Sequence, residues 1–184
     1  MSGERRLFFA LWPGDAERQE LVAAARGWLG AESATPRFVD AANLHLTLAY
    51  LGPVAEARLQ AVCDAAARVR IETCELRIDR SGWWRKPQVA WLAPSDAPAA
   101  LHRMEQALWA ELAPLGWHRD HPEFRPHISV VRKLRAPPPT SDFAPIVWPC
   151  NGFVLCQSRS TAAGVRYQVI NRWPRIVDVA ARYQ

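Results

Sequence analysis

A short sequence pattern that occurs twice constrains the fold of this chain more than any other feature. Trp12–Ala16 matches Ala93–Ala97, and His45–Leu48 matches His127–Val130 in the order His, apolar, hydroxyl, apolar. The two members of each match are separated by nearly the same length of chain, and the difference of one residue is easily absorbed by a loop. Chance could produce one such match, but agreement at both ends of a unit favours an internal duplication.

Hydrophobic periodicity and turn residues place the repeated pattern in secondary structure. Alternating apolar residues predict strands, and apolar residues three or four apart predict helices. The predicted strands cover 6–12, 44–51, 73–79, 88–92, 126–132, 153–158 and 165–173, and the predicted helices cover 15–29, 56–69 and a segment from Ser95 or Asp96 to 112. We expect Gly52-Pro53 to end the second strand and Ser81-Gly82 to end the third. The chain is thus interpreted as a single domain of residues 1–184, with strand–helix–strand units at about 5–52 and 87–133.

The charge of the chain favours an anionic ligand. The formal net charge is +5, and arginine supplies almost all of the positive charge because Lys86 and Lys133 are the only lysines. The planar fork of arginine matches the geometry of phosphate. A GC-rich codon bias would produce the same excess of arginine, so the charge alone leaves both explanations open.

The sequence also argues against several classes of site. No two of the four cysteines, Cys63, Cys74, Cys150 and Cys156, have the C-x-x-C spacing of a zinc knuckle or a redox motif. No P-loop, G-x-G-x-x-G, G-x-S-x-G or H-E-x-x-H pattern occurs, which leaves triphosphate, dinucleotide, serine-hydrolase and zincin sites without support. The apolar run near the start is too short for a signal peptide or a membrane span. We expect a cytoplasmic protein with reduced thiols.

The repeated strands place two histidines and two hydroxyls on polar faces. Side chains two residues apart in a strand share a face, so His45 lies beside Thr47 and His127 lies beside Ser129. If the two units pack about a twofold axis, these faces meet across one groove. One neutral imidazole can then accept a proton while the other, as imidazolium, donates one, and the hydroxyls can bind phosphate oxygens.

Two arginines near the second histidine are candidates for phosphate binding. Arg125 precedes His127 by two residues and shares its face. Strict alternation puts Arg132 on the opposite face from Ser129, so Arg132 reaches a phosphate only if the strand ends or bulges there. A histidine beside a hydroxyl in one strand is more often structural than catalytic. Two such pairs at equivalent places favour catalysis, because packing alone does not require histidine twice.

These residues resemble the two-histidine phosphoesterase superfamily, whose signature is two His-x-Thr/Ser-x motifs. The more similar branch is its bacterial and archaeal RNA 2′,3′-cyclic phosphodiesterases, historically called 2′-5′ RNA ligases. The resemblance covers nearly the whole chain and is carried by Arg6–Leu11, Asn43–Gly52, Phe124–Arg132, Ser158–Arg159 and Gly164–Tyr167. The second motif differs from the usual one by Ser129 in place of threonine and by Val130-Val131 in place of Leu-Ala. Serine retains the hydroxyl but is less restricted at χ1.

The resemblance implies an α+β fold of two pseudo-symmetric lobes, each an antiparallel sheet with helices packed outside, around a central cleft. It implies that water attacks an RNA 2′,3′-cyclic phosphate end and that the 3′ oxygen leaves, which gives a 2′-phosphomonoester. His45 would be the proton donor and His127 the proton acceptor, although the sequence alone does not fix which histidine has which role. Thr47, Ser129 and Arg132 would bind the substrate. No metal or cofactor is implied, and we expect a monomer that acts on RNA.

Several alternatives stay open at this point. Small cyclic or 2′-5′-linked nucleotides, reversible 2′-5′ ligation, and a non-catalytic module that binds RNA ends all fit the same motifs. Phe9 could lie on the cleft floor or in the core, and Trp83–Lys86 could stack on bases or cover the end of a sheet. A metal site could be assembled from His102, His118, His121 and His127, although their loop lacks the closed spacing of zinc sites.

Overall fold

A computed structural model describes residues 3–29, 37–138, 143–162 and 164–174 of the chain. These residues form nine strands and three α-helices. In chain order the elements are β1 (Glu4–Leu11), α1 (Asp15–Leu29), β2 (Arg37–Phe38), β3 (Leu46–Ala55), α2 (Leu59–Ala67), β4 (Cys74–Trp84), β5 (Val89–Pro94), α3 (Ala99–Leu112), β6 (Ile128–Arg132), β7 (Ile146–Cys150), β8 (Gly152–Thr161) and β9 (Gly164–Pro174). Short 3₁₀ turns lie at Ala41–Asn43, Glu56–Arg58 and Ala113–Leu115.

The strands form one antiparallel sheet with the order β7-β4-β5-β6-β3-β1-β8-β9, and β2 pairs with the end of β6. The sheet has two similar halves, β3-β1-β8-β9 and β6-β5-β4-β7. The halves join where Leu46 in β3 pairs with Ile128 in β6, a junction that we call the seam. This arrangement confirms the predicted α+β class, in which two lobes each contribute an antiparallel sheet.

The three helices pack on one face of the sheet and leave the other face for a cleft. Alternate residues of β1 show the division. Leu7 and Phe9 belong to the main core together with the buried side chains of all three helices, whereas Phe8 and Ala10 belong to a second, smaller cluster. Because the side-chain period of a strand is two, the same strand supplies both faces. Burial of apolar surface in the main core, worth roughly 25 cal/mol per Å², holds the helices to the sheet.

Two segments of the chain share the order strand, helix, strand, apart from the two-residue strand β2 in the first segment. One is β1–α1–β3 and the other is β5–α3–β6, and their last strands meet at the seam. This correspondence supports the predicted duplication within a single domain of residues 1–184. The duplication itself stays a prediction.

The prediction that Ser81-Gly82 ends a strand is wrong, because β4 continues to Trp84. A Cβ atom at Gly82 would lie 2.2 Å from the ring of Trp91 on the paired strand β5. Glycine therefore serves here for the close approach of an indole and not for a turn. As a consequence, Trp83 and Trp84 belong to β4.

Gly52-Pro53 likewise does not end β3, which continues to Ala55. Gly52 has a φ of +69° and lies where the register between β1 and β3 shifts. A β-bulge can take up a residue in this left-handed conformation without ending the strand pairing.

The predicted start of α3 is also wrong, because the helix begins at Ala99 after Pro98. Ser95 instead donates its backbone N–H and its hydroxyl to the carboxylate of Asp79, at 2.8 and 3.0 Å. The Ser95 side chain is therefore hydrogen-bonded to β4 and does not cap α3. The strands β2 and β7 lie outside the predicted strands, because β2 has only two residues and β7 is a short apolar run that contains Pro149.

Candidate active site

The two histidines lie at the seam. His45 directly precedes β3 and His127 directly precedes β6. The residues that follow them, Leu46 and Ile128, pair with each other and are 0% exposed. Because successive side chains alternate between faces, both imidazoles point away from the main core. The seam therefore brings the two histidines to the face that carries no helix.

The hydroxyl of each motif lies across the seam from the histidine of the other motif. Continuing the antiparallel register by one residue in each direction sets His45 opposite Ser129 and Thr47 opposite His127. All four side chains are half-buried. They are close enough to act on one small group bound at the seam.

Both imidazoles are held by the same backbone contact. Nδ1 of His45 donates to the carbonyl of Asn43 at 2.7 Å, and Nδ1 of His127 donates to the carbonyl of Arg125 at 2.8 Å. A carbonyl oxygen only accepts hydrogen bonds, so Nδ1 carries the hydrogen in each ring. Nε2 is then the nitrogen that gains and loses a proton. Nε2 of His45 lies 3.1 Å from Oγ1 of Thr47.

Aromatic rings enclose both histidines. His45 packs against Phe8 at 4.8 Å between ring centroids, against Tyr167 at 5.1 Å and against Trp12 at 6.0 Å. His127 meets Trp84 edge to face at 4.5 Å. Sequence analysis missed Phe8, Trp12 and Tyr167, because their position beside His45 depends on strand pairing that no local pattern reports.

Phe9, for which the cleft floor and the core were both possible, lies in the main core. It packs against Phe153 and Trp173, with ring centroids 5.9 and 5.8 Å apart. Its neighbour Phe8 takes the position beside His45. The alternative that placed Phe9 in the core is therefore the correct one.

Asn43 is a further residue whose role the sequence does not reveal. It is 7% exposed and is one of two buried polar residues among those that the structure describes. Its Nδ2 donates to the carbonyl of Val165 at 2.8 Å, and its Oδ1 accepts from the N–H of Tyr167 at 3.0 Å. Asn43 thus ties β9 to the first motif and holds Tyr167 against His45.

Burial lowers the pKa of both imidazoles. Desolvation is the largest cause for His45, whose pKa falls from 6.5 to about 4, and the charges of Arg132 and His127 lower it further. Desolvation also lowers the pKa of His127, and the charge of Arg132 adds to the effect. The backbone bonds at Nδ1 act in the opposite direction but do not offset burial. Both rings are therefore mainly neutral near pH 7 in the free protein.

A β-bulge turns Arg132 toward the histidines. Trp91 of β5 pairs with Ser129 of β6, whereas Val89, two residues before Trp91, pairs with Arg132, three residues after Ser129. β6 therefore contains one extra residue between these pairs. Because Val89 and Trp91 share a face, Arg132 returns to the face of Ser129. This is the irregularity that Arg132 requires to approach a phosphate at the seam.

Three further candidates, Arg125, Trp83 and Trp84, differ in their surroundings. Arg125 is exposed and pairs with Glu123 at 2.9 Å. Trp83 packs against the main core and donates Nε1 to the carbonyl of Leu134 at 3.0 Å, so it covers the end of the sheet. Trp84 instead lies in the site, beside His127.

The other three histidines of the metal-site alternative lie in different surroundings. His118 and His121 are exposed, and His102 meets Phe124 edge to face at 5.7 Å. Within the described ranges, no three His, Cys, Asp or Glu side chains are grouped as metal ligands would be.

A cavity of about 510 Å³ opens beside His127 and Thr47. Its wall includes the aromatic rings of Tyr50, Trp84 and Phe124. A cavity of this size accommodates a small organic ligand such as a nucleoside. Stacking on aromatic rings is tolerant of base identity.

Comparison with known proteins identifies the family. The family model of the 2′-5′ RNA ligase superfamily matches residues 13–157. The RNA 2′,3′-cyclic phosphodiesterase of Escherichia coli K12 is 30% identical over 177 residues, which are 94% of this chain and 98% of the relative. The RNA 2′,3′-cyclic phosphodiesterase of Archaeoglobus fulgidus is 26% identical over 140 residues, which are 74% of this chain and 77% of the relative.

A solved structure agrees with this match. The crystal structure of E. coli LigT complexed with 3′-AMP is 28% identical and has a TM-score of 0.80, covering 93% of this chain and 98% of that chain. The residues matched by the family model contain both histidine motifs and the strands from β2 to β7, whereas β1 and β9 lie outside the matched range. The chain therefore belongs to the 2′-5′ RNA ligase superfamily.

Proposed function

We propose that this protein hydrolyses RNA 2′,3′-cyclic phosphate ends to 2′-phosphomonoesters, with His45 as the proton donor, His127 as the proton acceptor and no metal ion. The observation that carries the proposal is the pair of imidazoles on one face of the seam. Each Nδ1 is held by a backbone carbonyl, which leaves each Nε2 for proton transfer. Four curated relatives are named RNA 2′,3′-cyclic phosphodiesterase, which supports the same activity here.

In this reaction, water attacks the phosphorus atom of the cyclic phosphate. Nε2 of His127 accepts a proton from the water as the new oxygen–phosphorus bond forms. The bond between phosphorus and the 3′ oxygen breaks, and Nε2 of His45 donates a proton to that oxygen. The product carries a 3′ hydroxyl and a 2′ phosphate. His127 ends protonated and His45 ends neutral, so exchange with solvent restores the starting state.

The donor role requires a proton on Nε2 of His45. Because the pKa of His45 is about 4 in the free protein, that nitrogen is mainly unprotonated near pH 7. A cyclic phosphate brings a negative charge beside the ring, and an opposite charge raises the pKa of an imidazole. Substrate binding therefore favours the protonation of His45, which burial and the charge of Arg132 disfavour.

Three further residues complete the proposed site. The hydroxyls of Thr47 and Ser129 donate hydrogen bonds to the non-bridging oxygens, whose negative charge grows in the transition state. Arg132 lies on the same face and offers a planar pair of N–H donors to the same oxygens. None of the three exchanges a proton with the substrate in this scheme.

We propose an RNA end as the partner of a monomeric, cytoplasmic protein. All four cysteines are free thiols in the structure. Separately, no helix among the described residues is long and apolar enough to cross a membrane.

The test uses a short oligoribonucleotide that ends in a 2′,3′-cyclic phosphate, with and without chelator. We expect a 2′-phosphomonoester at the same rate in both conditions. His45→Ala and His127→Ala should each lower the rate about 10²–10⁴-fold. His118→Ala is the matched control, because His118 is exposed and should leave the rate unchanged. Equal activity in His127→Ala, or loss of activity with chelator alone, contradicts the proposal.

Two other outcomes point to the alternatives. Tight, salt-dependent binding of the RNA end without product indicates a non-catalytic binding module. Much faster turnover of a cyclic mononucleotide than of the oligonucleotide indicates a small-nucleotide phosphodiesterase.

A further inference from the structure

The two-residue strand β2 places a second arginine beside Arg132. Arg37 in β2 lies directly opposite Arg132 in β6. Directly opposed residues of an antiparallel pair have side chains on the same face. Since Arg132 lies on the face of Ser129, Arg37 lies on that face as well. Both arginines are exposed.

Two guanidinium groups directly opposite each other are unfavourable unless an anion compensates them. Within the described parts of the chain, neither arginine has a carboxylate within ion-pair distance. Asp40 follows Arg37 by three residues but pairs with Arg166 at 2.5 Å. The arginine pair is therefore an uncompensated positive site at the edge of the cleft, as phosphate-binding sites are.

The position of β2 separates Arg37 from the reacting phosphate. β3 pairs with β6 at Ile128, and β2 pairs with β6 further along, at Val131 and Arg132. Arg132 lies three residues beyond Ser129, which is roughly 10 Å along the strand. Arg132 lies on the same face of the sheet as Ser129 and the two histidines. Arg37 lies one strand further to the side and is suited to the next phosphate of an RNA chain.

We propose that Arg37 binds the phosphate on the 5′ side of the terminal nucleotide while Arg132 binds the cyclic phosphate. This inference rests on the proposed function and specifies its substrate. The preferred substrate is an RNA end, or a nucleoside 2′,3′-cyclic phosphate that also carries a 5′ phosphate. A cyclic nucleotide without a 5′ phosphate lacks the group that Arg37 binds.

The test compares three substrates that share one base: adenosine 2′,3′-cyclic phosphate, its 5′-phosphorylated form, and a dinucleotide with the same cyclic end. Wild type should hydrolyse the second and third with a kcat/KM about tenfold above the first. Arg37→Ala should remove this preference and leave hydrolysis of the first substrate unchanged. Arg37→Lys, which keeps the charge but not the fork, should retain part of the preference.

Arg70→Ala is the matched control, because Arg70 is an exposed arginine that follows α2 on the helical side of the sheet. It should retain the full preference. Arg37→Gln replaces Arg37→Ala if the alanine variant does not fold. Equal kcat/KM for the three substrates in wild type, or an equal loss on all three in the Arg37 variants, overturns the inference but not the hydrolysis. If folded wild type hydrolyses none of the three, the proposed function fails and this inference fails with it.

Discussion

Oγ1 of Thr47 lies 3.1 Å from Nε2 of His45, so the hydroxyl of the first motif contacts the ring nitrogen that the backbone bond at Nδ1 leaves available. In the neutral ring, Nδ1 already donates to Asn43, and the Thr47 hydroxyl must therefore donate its hydrogen to Nε2. When His45 is protonated, Nε2 becomes a donor and the hydroxyl is free to turn its hydrogen toward a phosphate oxygen. One hydroxyl can thus stabilise the neutral ring and, once the ring is protonated, donate its hydrogen to a bound anion.

Thr47→Val retains the shape of the side chain and removes the hydroxyl. We expect kcat to fall about 100-fold, because a donor to the developing charge is lost. Thr47→Ser should retain most of the activity, since the second motif already uses a serine at Ser129. Single-turnover hydrolysis of the cyclic RNA end measures both variants. A Thr47→Val enzyme with the wild-type rate would show that the hydroxyl does not contact the transition state.

The stability of the protein should decrease as the pH falls from 6.5 to 4. The pKa of His45 is about 4 in the folded protein, against an ordinary value of 6.5. Between these values the unfolded chain binds a proton that the folded chain does not, so lowering the pH favours unfolding. The stabilisation associated with neutral His45 is therefore complete above pH 6.5 and is lost toward pH 4.

His45→Gln should reduce this loss by on the order of 2 kcal/mol. The free energy of unfolding in urea, compared at pH 4.5 and pH 7.5, measures the effect. His118→Gln is the control and should retain the wild-type dependence, because His118 is exposed. If His45→Gln shows the same dependence as wild type, titration of His45 is not the cause.

Gly82→Ala and Gly27→Ala should change stability in opposite directions. A Cβ atom at Gly82 would lie 2.2 Å from the ring of Trp91, so we expect a loss of about 1–3 kcal/mol. Gly27 lies in α1 with no atom within 4 Å of an added Cβ, so alanine there should stabilise by about 0.5–1 kcal/mol. Urea unfolding of both variants measures the difference. A Gly82→Ala protein as stable as wild type would mean that Trp91 moves aside without cost.

Asn43→Ala should destabilise the protein and lower its activity together. The change leaves the carbonyl of Val165 and the N–H of Tyr167 without their partner, at a cost of about 2–4 kcal/mol for the two bonds. Activity should fall because Tyr167 is no longer held against the ring of His45. Asn171→Ala is the control, because the exposed Asn171 side chain accepts from the adjacent N–H of Arg172. It should change stability by less than about 0.5 kcal/mol.

Features that depend on neighbouring residues in the chain are predicted well. α1 covers the predicted 15–29, because Pro13-Gly14, Asp15 and the apolar period all lie within that segment. The positions of His45 and His127 also follow from local pattern, since the period of a strand places each beside its hydroxyl. The duplicated motifs are the reason that two distant strands could be expected to meet.

Features that depend on contacts between strands are not predicted. Phe8 and Phe9 are adjacent aromatic residues in a continuous apolar run, and pairing with other strands decides which of them faces His45. The extension of β4 through Gly82 depends on an indole from β5. The side to which Arg132 points depends on a bulge whose presence shows only in the pairing of β5 with β6.

The seam fixes the spacing of the two imidazoles by backbone geometry. His45 and His127 each lie next to the residue that pairs β3 with β6, and neighbouring strands are about 4.8 Å apart in any sheet. The rings around them come from other strands, such as Phe8 from β1 and Trp84 from β4. Replacement of these surrounding rings can alter substrate choice while the distance between the two imidazoles is preserved. The choice of substrate can therefore change in evolution without a change in the spacing of the two imidazoles.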